Sequence, residues 1–193
     1  SMEIERIRPE EIERRSFEII TDLLGEQQPP DETAHIVKRV IHTTADLEYA
    51  ETLYFSENAA QILSQALAEG THIVTDTQMA LSGINKKTLA AFGGQVHCFM
   101  ADEDVARQAR ERGVTRACVS MEKAATLSVP LIFAIGNAPT ALVTLYDLMQ
   151  EGQVKPELII GVPVGFVNVV QSKELIMSSD VPYIVARGRK GGS

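Results

Sequence analysis

Short apolar runs alternate with longer amphipathic stretches along most of the chain. The runs are rich in Ile, Val, Leu and Phe, as buried strands are, and they cover residues 72–75, 96–99, 117–119, 131–135, 158–160 and 183–186. Strands that alternate with helical stretches indicate βαβ units and therefore a parallel sheet covered on both faces. We predict a doubly wound α/β fold with a mostly parallel sheet and helices on both faces. At 193 residues the chain is expected to form a single domain over residues 1–193.

Two helices are predicted before this alternation begins. Apolar residues recur at helical spacing over residues 9–24, and Gly25 supplies a stop. A second helix is expected over residues 32–41, so that His42 stands at its C-terminal end. The carbonyl groups at a helix C-terminus carry negative partial charge, which favours a protonated imidazole. We therefore predict a raised pKa for His42, opposed by any burial of the ring.

Helices are also predicted between the strands. One is expected over residues 57–69, with Ser56 as its N-terminal cap and Gly70 at its end. Two others are expected over residues 102–112 and 139–150.

Ligands of open parallel sheets bind outside the carboxyl ends of the strands, which directs attention to the residues that follow each strand. The first strand is followed by Asp76, Thr77 and Gln78. They could bind a polar ligand edge or cap the next helix. The fourth strand is followed by Gly136, Asn137, Ala138 and, after a proline, Thr140. Backbone amides there could hold a carboxylate, or the segment could be an ordinary helix start with Asn137 as its cap.

The segment RVIHTTAD (39–46) concentrates proton-transfer and hydrogen-bonding groups. His42 carries the side chain best suited to moving a proton near neutral pH, since its unperturbed pKa lies near 6.5. Thr43, Thr44 and Asp46 could orient the imidazole or bind a substrate edge. The structural alternative is a helix end whose polar groups satisfy one another.

Charge limits the partners that the chain can bind. The net charge of −8 disfavours nonspecific binding to nucleic acid but leaves room for a local anion site. Basic side chains that could pair with ligand carboxylates are Arg116, at the expected start of the 117–119 strand, and Arg187, Arg189 and Lys190 near the end of the sequence. Solvated arginines and disordered termini are the structural alternatives.

No cofactor is expected. Cys98 and Cys118 are too few and too far apart for a disulfide framework or a Cys-based metal site, and the four histidines lack ligand spacing. The GxGxxG and GxxxxGK[ST] phosphate motifs are absent, which disfavours a nucleotide-dependent enzyme.

The start of the chain lacks the basic and apolar features of a signal peptide, and no apolar run approaches the roughly 20 residues of a membrane span. We expect a cytoplasmic protein without membrane contact, and we interpret Ser1 as a remnant of tag cleavage.

Several long blocks, in order and over nearly the whole chain, resemble the precorrin-8X methylmutase family, which includes enzymes that act on cobalt-precorrin-8. The blocks are RVIHTTAD (39–46), VTDTQMALSGIN (74–85), CFMADEDV (98–105), SMEKAA (120–125), AIGNAPTAL (134–142), PELIIGVPVGFVNVVQSKE (156–174) and PYIVARGRKGG (182–192). Relatives commonly continue past this point into another apolar helix, so we expect either a truncated C-terminus or a short member of the family.

The resemblance implies an isomerase of cobalamin (vitamin B12) biosynthesis. Such enzymes move a methyl group from carbon 11 to carbon 12 of the macrocycle, giving hydrogenobyrinate or its cobalt form, cobyrinate. The family's catalytic histidine corresponds to His42. The resemblance also implies a homodimer that binds the corrinoid substrate near the subunit interface. Cobalt, where present, belongs to the substrate, and the resemblance leaves open which form is used. A noncatalytic tetrapyrrole-binding or carrier protein is the alternative function.

Overall fold

Apolar runs form most of the strands of one sheet, as the pattern predicts. The computed structural model describes residues 8–45, 50–163 and 169–188, except for the side chains of residues 50–52 and 187–188. Within those residues the strands are β1 (Ala50–Phe55), β2 (His72–Thr75), β3 (Val96–His97), β4 (Leu131–Ile135), β5 (Leu158–Gly161) and β6 (Tyr183–Gly188). Their order across the sheet is β1-β6-β5-β4-β2-β3. All neighbouring pairs are parallel except β1 and β6, which confirms the mostly parallel sheet.

Helices pack on both faces of this sheet. Those described are α1 (Pro9–Leu24), α2 (Asp31–Thr44), α3 (Ala59–Ala68), α4 (Gln78–Gly83), α5 (Lys86–Ala91), α6 (Glu103–Arg112), α7 (Arg116–Ala124), α8 (Pro139–Gln150) and α9 (Val169–Met177). None of them is both long and apolar enough to cross a membrane.

Alternate residues of the strands pack into two separate cores, because successive side chains of a strand point to opposite faces of the sheet. Ile132 and Ile160 pack with α1, α2 and α3 in a first layer. Phe133 and Ile159 pack with α7, α8 and α9 in a second layer. This arrangement confirms the doubly wound α/β prediction.

One predicted strand is wrong. Residues 117–119 lie in α7, whose N-terminus is capped by the Thr115 hydroxyl accepting a hydrogen bond from the Cys118 amide at 3.1 Å. Ala117 and Met121 are both buried, which is helical spacing, and Arg116 therefore starts a helix rather than a strand. A run of three apolar residues was too short to separate strand from helix. The sheet has another strand in its place, β1, which the sequence pattern did not predict.

The predicted cap of α3 is also wrong. The helix starts at Ala59, after Asn58 in a left-handed conformation with φ of 59°. The Ser56 hydroxyl instead accepts the amide of Tyr183 at 2.8 Å and donates to its carbonyl at 3.2 Å. Ser56 thus joins the end of β1 to the start of β6.

The order of the strands reverses direction between β2 and β4. The chain places β3 on one side of β2 and then returns to place β4 on the other side. Helix α4, after β2, packs near α2 in the first layer, whereas α8, after β4, packs in the second. This reversal is a topological switch point, the position outside the strand ends at which ligands of open α/β sheets bind.

Candidate functional site

Asp76 closes the floor of the switch point. One carboxylate oxygen accepts the amide of Gly136 at 2.8 Å, and the other accepts those of Asn137 and Ala138 at 3.0 and 2.7 Å. Asp76 is only 5% exposed; burial raises the pKa of its carboxyl, whereas the amide donors oppose the rise. The backbone amides that were predicted to bind a ligand carboxylate therefore bind the carboxylate of Asp76 instead.

Of the two helix caps near this floor, one differs from the prediction and one agrees with it. Ala138 stands at the N-terminal cap of α8, so the prediction that Asn137 caps this helix is wrong. Thr77 accepts the amide of Ala80 at 3.0 Å and caps α4, which is one of its two predicted roles. Gln78 and Thr140 lie exposed in the first turns of α4 and α8. Contact of these residues with a substrate stays a prediction.

The C-terminal end of α2 lies directly on the switch point. A methyl group added at Gly136 would stand 2.6 Å from the carbonyl oxygen of Thr44, so only glycine allows this approach. One added at Gly83, at the end of α4, would stand 2.6 Å from the Thr43 methyl group. Helix α2 therefore brings His42, in its last turn, to the carboxyl edge of the sheet.

Ser16 orients the imidazole of His42. Its hydroxyl lies 2.6 Å from Nδ1 of His42, and the ring of Phe17 meets the imidazole edge-on at 5.6 Å between centroids. Both partners come from α1, which packs on α2. Sequence reasoning missed Ser16, because the two residues are 26 positions apart and only the packing of the two helices joins them.

The electrostatic surroundings of His42 favour the neutral ring. Burial lowers the pKa of His42 below its ordinary 6.5, and the Arg39 guanidinium lowers it further, whereas Glu13 opposes both. Arg39 pairs with Glu13 and lies over the ring of Phe17 at 4.9 Å. The predicted rise in pKa is wrong, because burial and a neighbouring cation outweigh the helix end.

The threonines beside His42 bond to their own helix. Thr44 donates to the carbonyl of Val40 at 2.7 Å and Thr43 donates to the same carbonyl at 3.3 Å. Neither hydroxyl holds the imidazole, so that part of the prediction is wrong and Ser16 takes the role. Asp46 lies outside the described residues.

Of the predicted cations, Arg116 is the one whose side chain is described, and it lies in a different layer from His42. Arg116 is exposed in the first turn of α7, a helix of the second layer, whereas His42 lies on a helix of the first layer. Arg189, Lys190 and the side chain of Arg187 lie outside the described residues. Within the described part of the chain, no group of three or more His, Cys, Asp or Glu side chains is arranged to hold a metal ion.

The fold and the site together define an α/β protein with a polar switch point and, on the helix that ends there, an imidazole oriented by a hydroxyl. The family model described as precorrin-8X methylmutase matches residues 11–193. The chain belongs to the precorrin-8X methylmutase family, whose members are isomerases of corrin biosynthesis.

Similar proteins carry the same description. The chain is 44% identical to the cobalt-precorrin-8 methylmutase of Priestia megaterium, over 97% of this chain and 83% of that protein. It is 37% identical to the precorrin-8X methylmutase of Pseudomonas aeruginosa, over 94% of this chain and 88% of that one. A crystal structure of the precorrin-8X methylmutase from Thermus thermophilus matches with a TM-score of 0.69 and 36% identity, covering 93% of this chain and 86% of that one. The chain is therefore a methylmutase rather than a carrier.

Proposed function

We propose that His42 is the acid of the methyl shift, and that Ser16 fixes its tautomer. The observation that carries this proposal is the 2.6 Å contact between the Ser16 hydroxyl and Nδ1 of His42. A hydroxyl that donates to Nδ1 of a neutral imidazole leaves the proton on Nε2. The ring then offers Nε2–H to a ligand even when it is uncharged, which suits the lowered pKa of His42.

The proposed reaction requires no nucleophile. The bond from the methyl group to carbon 11 breaks as the bond to carbon 12 forms, so all atoms and electrons remain within the macrocycle. Nε2–H of the neutral ring donates a strong hydrogen bond, or the protonated ring donates a proton, to the ring-C region. Either withdraws electron density from the conjugated system while the methyl group moves. Return of the proton to the imidazole completes the cycle.

Cations near the end of the chain are proposed to bind the acetate and propionate groups of the substrate. Arg187, Arg189 and Lys190 are the proposed partners, since guanidinium and ammonium groups form charge-assisted hydrogen bonds to carboxylates. Local charge of this kind would offset the overall charge of −8. Arg116, on a helix of the second layer, has less support from the structure.

We propose further that two copies of the chain form the substrate site. A shallow groove of about 270 Å³ lies beside Phe17, lined by Arg14, Glu18, Thr21, Asp22 and Lys38. Pockets that enclose drug-sized ligands occupy roughly 300–1,000 Å³. This groove is smaller and is not lined by His42 or Ser16, so it does not by itself form the site around the proposed acid. The homodimer and the cytoplasmic location expected from the sequence stay predictions.

Ser16→Ala tests the orienting contact. We expect kcat to fall about fivefold with little change in KM, because one hydrogen bond of about 1 kcal/mol no longer selects the Nε2–H tautomer. Nitrogen NMR of the imidazole should show the Nδ1–H tautomer becoming more populated. Thr21→Val is the matched control, since it removes a hydroxyl of α1 that bonds to the carbonyl of Phe17. An unchanged tautomer ratio in Ser16→Ala would contradict the assignment.

Arg39→Gln tests the electrostatic control of His42. The Arg39 guanidinium lowers the pKa of His42, so its removal should raise that pKa, measured by an NMR titration of the ring protons. Since kcat/KM reports ionisations of the free enzyme, the part of its pH profile that follows His42 should move to a higher pH in the variant.

Arg39→Lys is the control for this change, because it keeps the charge but loses the planar contact with Phe17. Its pKa should stay near that of the unchanged protein. A pKa for His42 that moves equally in both variants would show that packing, and not charge, is responsible.

A further inference from the structure

Lys173 is a buried cation that the proposed chemistry does not use. It lies on α9, is 5% exposed, and donates from Nζ to the carbonyl oxygen of Ala186 in β6. Among the described residues no carboxylate lies within ion-pair distance of Nζ. Burial lowers the pKa of Lys173 to about 8. Burying an amino group costs free energy, so the structure must contain a reason why Lys173 is buried at this position.

The hydrogen-bond ladder between β5 and β6 supplies that explanation. The amide of Ile159 donates to the carbonyl of Pro182 at 2.9 Å. Along a parallel strand every second amide faces the same neighbour, so the amides of residues 161 and 163 face the carbonyls of residues 184 and 186. The amide of Val162 faces the other way and donates to Ile135 of β4 at 2.9 Å, as this alternation requires.

Residue 163 is a proline and has no N–H. The carbonyl of Ala186 therefore lacks the donor that the ladder would give it, although Ala186 is fully buried. A buried carbonyl without a partner costs about 1–3 kcal/mol. Lys173 reaches across from α9 with an N–H at that position.

We infer that Lys173 replaces the missing amide of Pro163, and that it thereby fixes the end of β6 from which Arg187 serves the substrate. Lys173 is on this view a positioning residue. Arg187 directly follows the carbonyl that Lys173 holds, so movement of Ala186 moves the backbone that carries Arg187. The inference rests on the proposed function of Arg187 as a partner of a substrate carboxylate.

A compensating double variant tests this inference. Lys173→Met keeps an unbranched side chain but removes the donor, and Pro163→Ala restores an amide to the ladder. The probe is the product cobyrinate, titrated by macrocycle absorbance at fixed salt, with kcat and denaturant midpoint measured alongside. We expect Lys173→Met to raise Kd about tenfold, with a smaller effect on kcat, and Pro163→Ala alone to have little effect.

The double variant Lys173→Met/Pro163→Ala should recover a Kd within about threefold of the unchanged protein. A role of Lys173 in packing or in overall charge would not be rescued in this way. The denaturant midpoint should show the same coupling without ligand: Pro163→Ala should stabilise the Lys173→Met background more than it stabilises the unchanged protein. A double variant that binds as weakly as Lys173→Met, or shows no such coupling, would overturn the inference.

Arg187→Ala separates this inference from the function on which it rests. We expect Arg187→Ala to weaken binding of cobyrinate, and Lys173→Met to add little in that background. Weaker binding by Arg187→Ala with an unchanged Kd for Lys173→Met would overturn only the role of Lys173. An unchanged Kd for Arg187→Ala would overturn the carboxylate contact itself, and the link from Lys173 to the substrate with it.

Discussion

His42→Asn is expected to lower kcat by about 10²- to 10⁴-fold, the usual range for loss of a general acid. The asparagine amide can accept a hydrogen bond from Ser16. It does not titrate near neutral pH, and it has no N–H in the position of Nε2–H of His42 to donate to the substrate. His42 is half-buried at the end of α2, so the fold should survive. Single-turnover conversion under excess enzyme, followed by macrocycle absorbance and product NMR, measures the effect without a contribution from product release.

His35→Asn is the matched control. His35 lies on the same helix as His42, and its ring lies 5.4 Å from that of Phe17, compared with 5.6 Å for His42. We expect the His35 variant to turn over at nearly the normal rate, because no hydrogen bond to Ser16 is lost. Folded His42→Asn protein that converts substrate within a few-fold of the normal rate would remove the proposed acid.

Asp76→Ala should cause the largest loss of stability, lowering the free energy of unfolding by about 3 kcal/mol or more at pH 7. Three backbone amides would lose their charged acceptor at once, and each buried amide without a partner costs about 1–3 kcal/mol. In the unchanged protein, the cost of burying the carboxylate, which raises the pKa of Asp76, offsets part of the stability that its hydrogen bonds contribute. Urea unfolding followed by circular dichroism measures the difference.

Asp104→Asn is a control for the charge alone. The side chain of Asp104 is 43% exposed and pairs with Lys123 at 3.0 Å. We expect its replacement to leave stability nearly unchanged, since ion pairs at the surface contribute little. Asp76→Ala protein of normal stability that has lost substrate affinity would mean that Asp76 acts on the ligand and not on the floor of the switch point.

The sequence predicted those parts of the fold that are encoded locally. The strand 131–135 is buried throughout, and its aliphatic run has no competing interpretation. Helix 9–24 has the boundaries that its apolar spacing and Gly25 indicate. The three-residue run at 117–119 could not be assigned by periodicity, since the cap at Thr115 decides it. β1 is an antiparallel edge strand held by pairing with β6, and that pairing is not visible in its own residues.

Only the parts of the site that lie within a single helix or strand end could be predicted from the sequence. The position of His42 near the end of a helix followed from the pattern, and the carboxyl ends of the strands followed from the fold class. The partners of these groups come from elsewhere: Ser16 from another helix, and the amides bound to Asp76 from a strand end about 60 residues away. The lowered pKa of His42 depends on burial, which a helix-dipole argument does not include.

Helices α1 and α2 precede every strand of the sheet, and they supply both the imidazole and the hydroxyl that orients it. The strands and the proposed acid with its orienting hydroxyl are thus encoded in separate stretches of sequence. Evolution or protein engineering can therefore change this pair of helices, or transfer it to another protein, without altering the order of the strands.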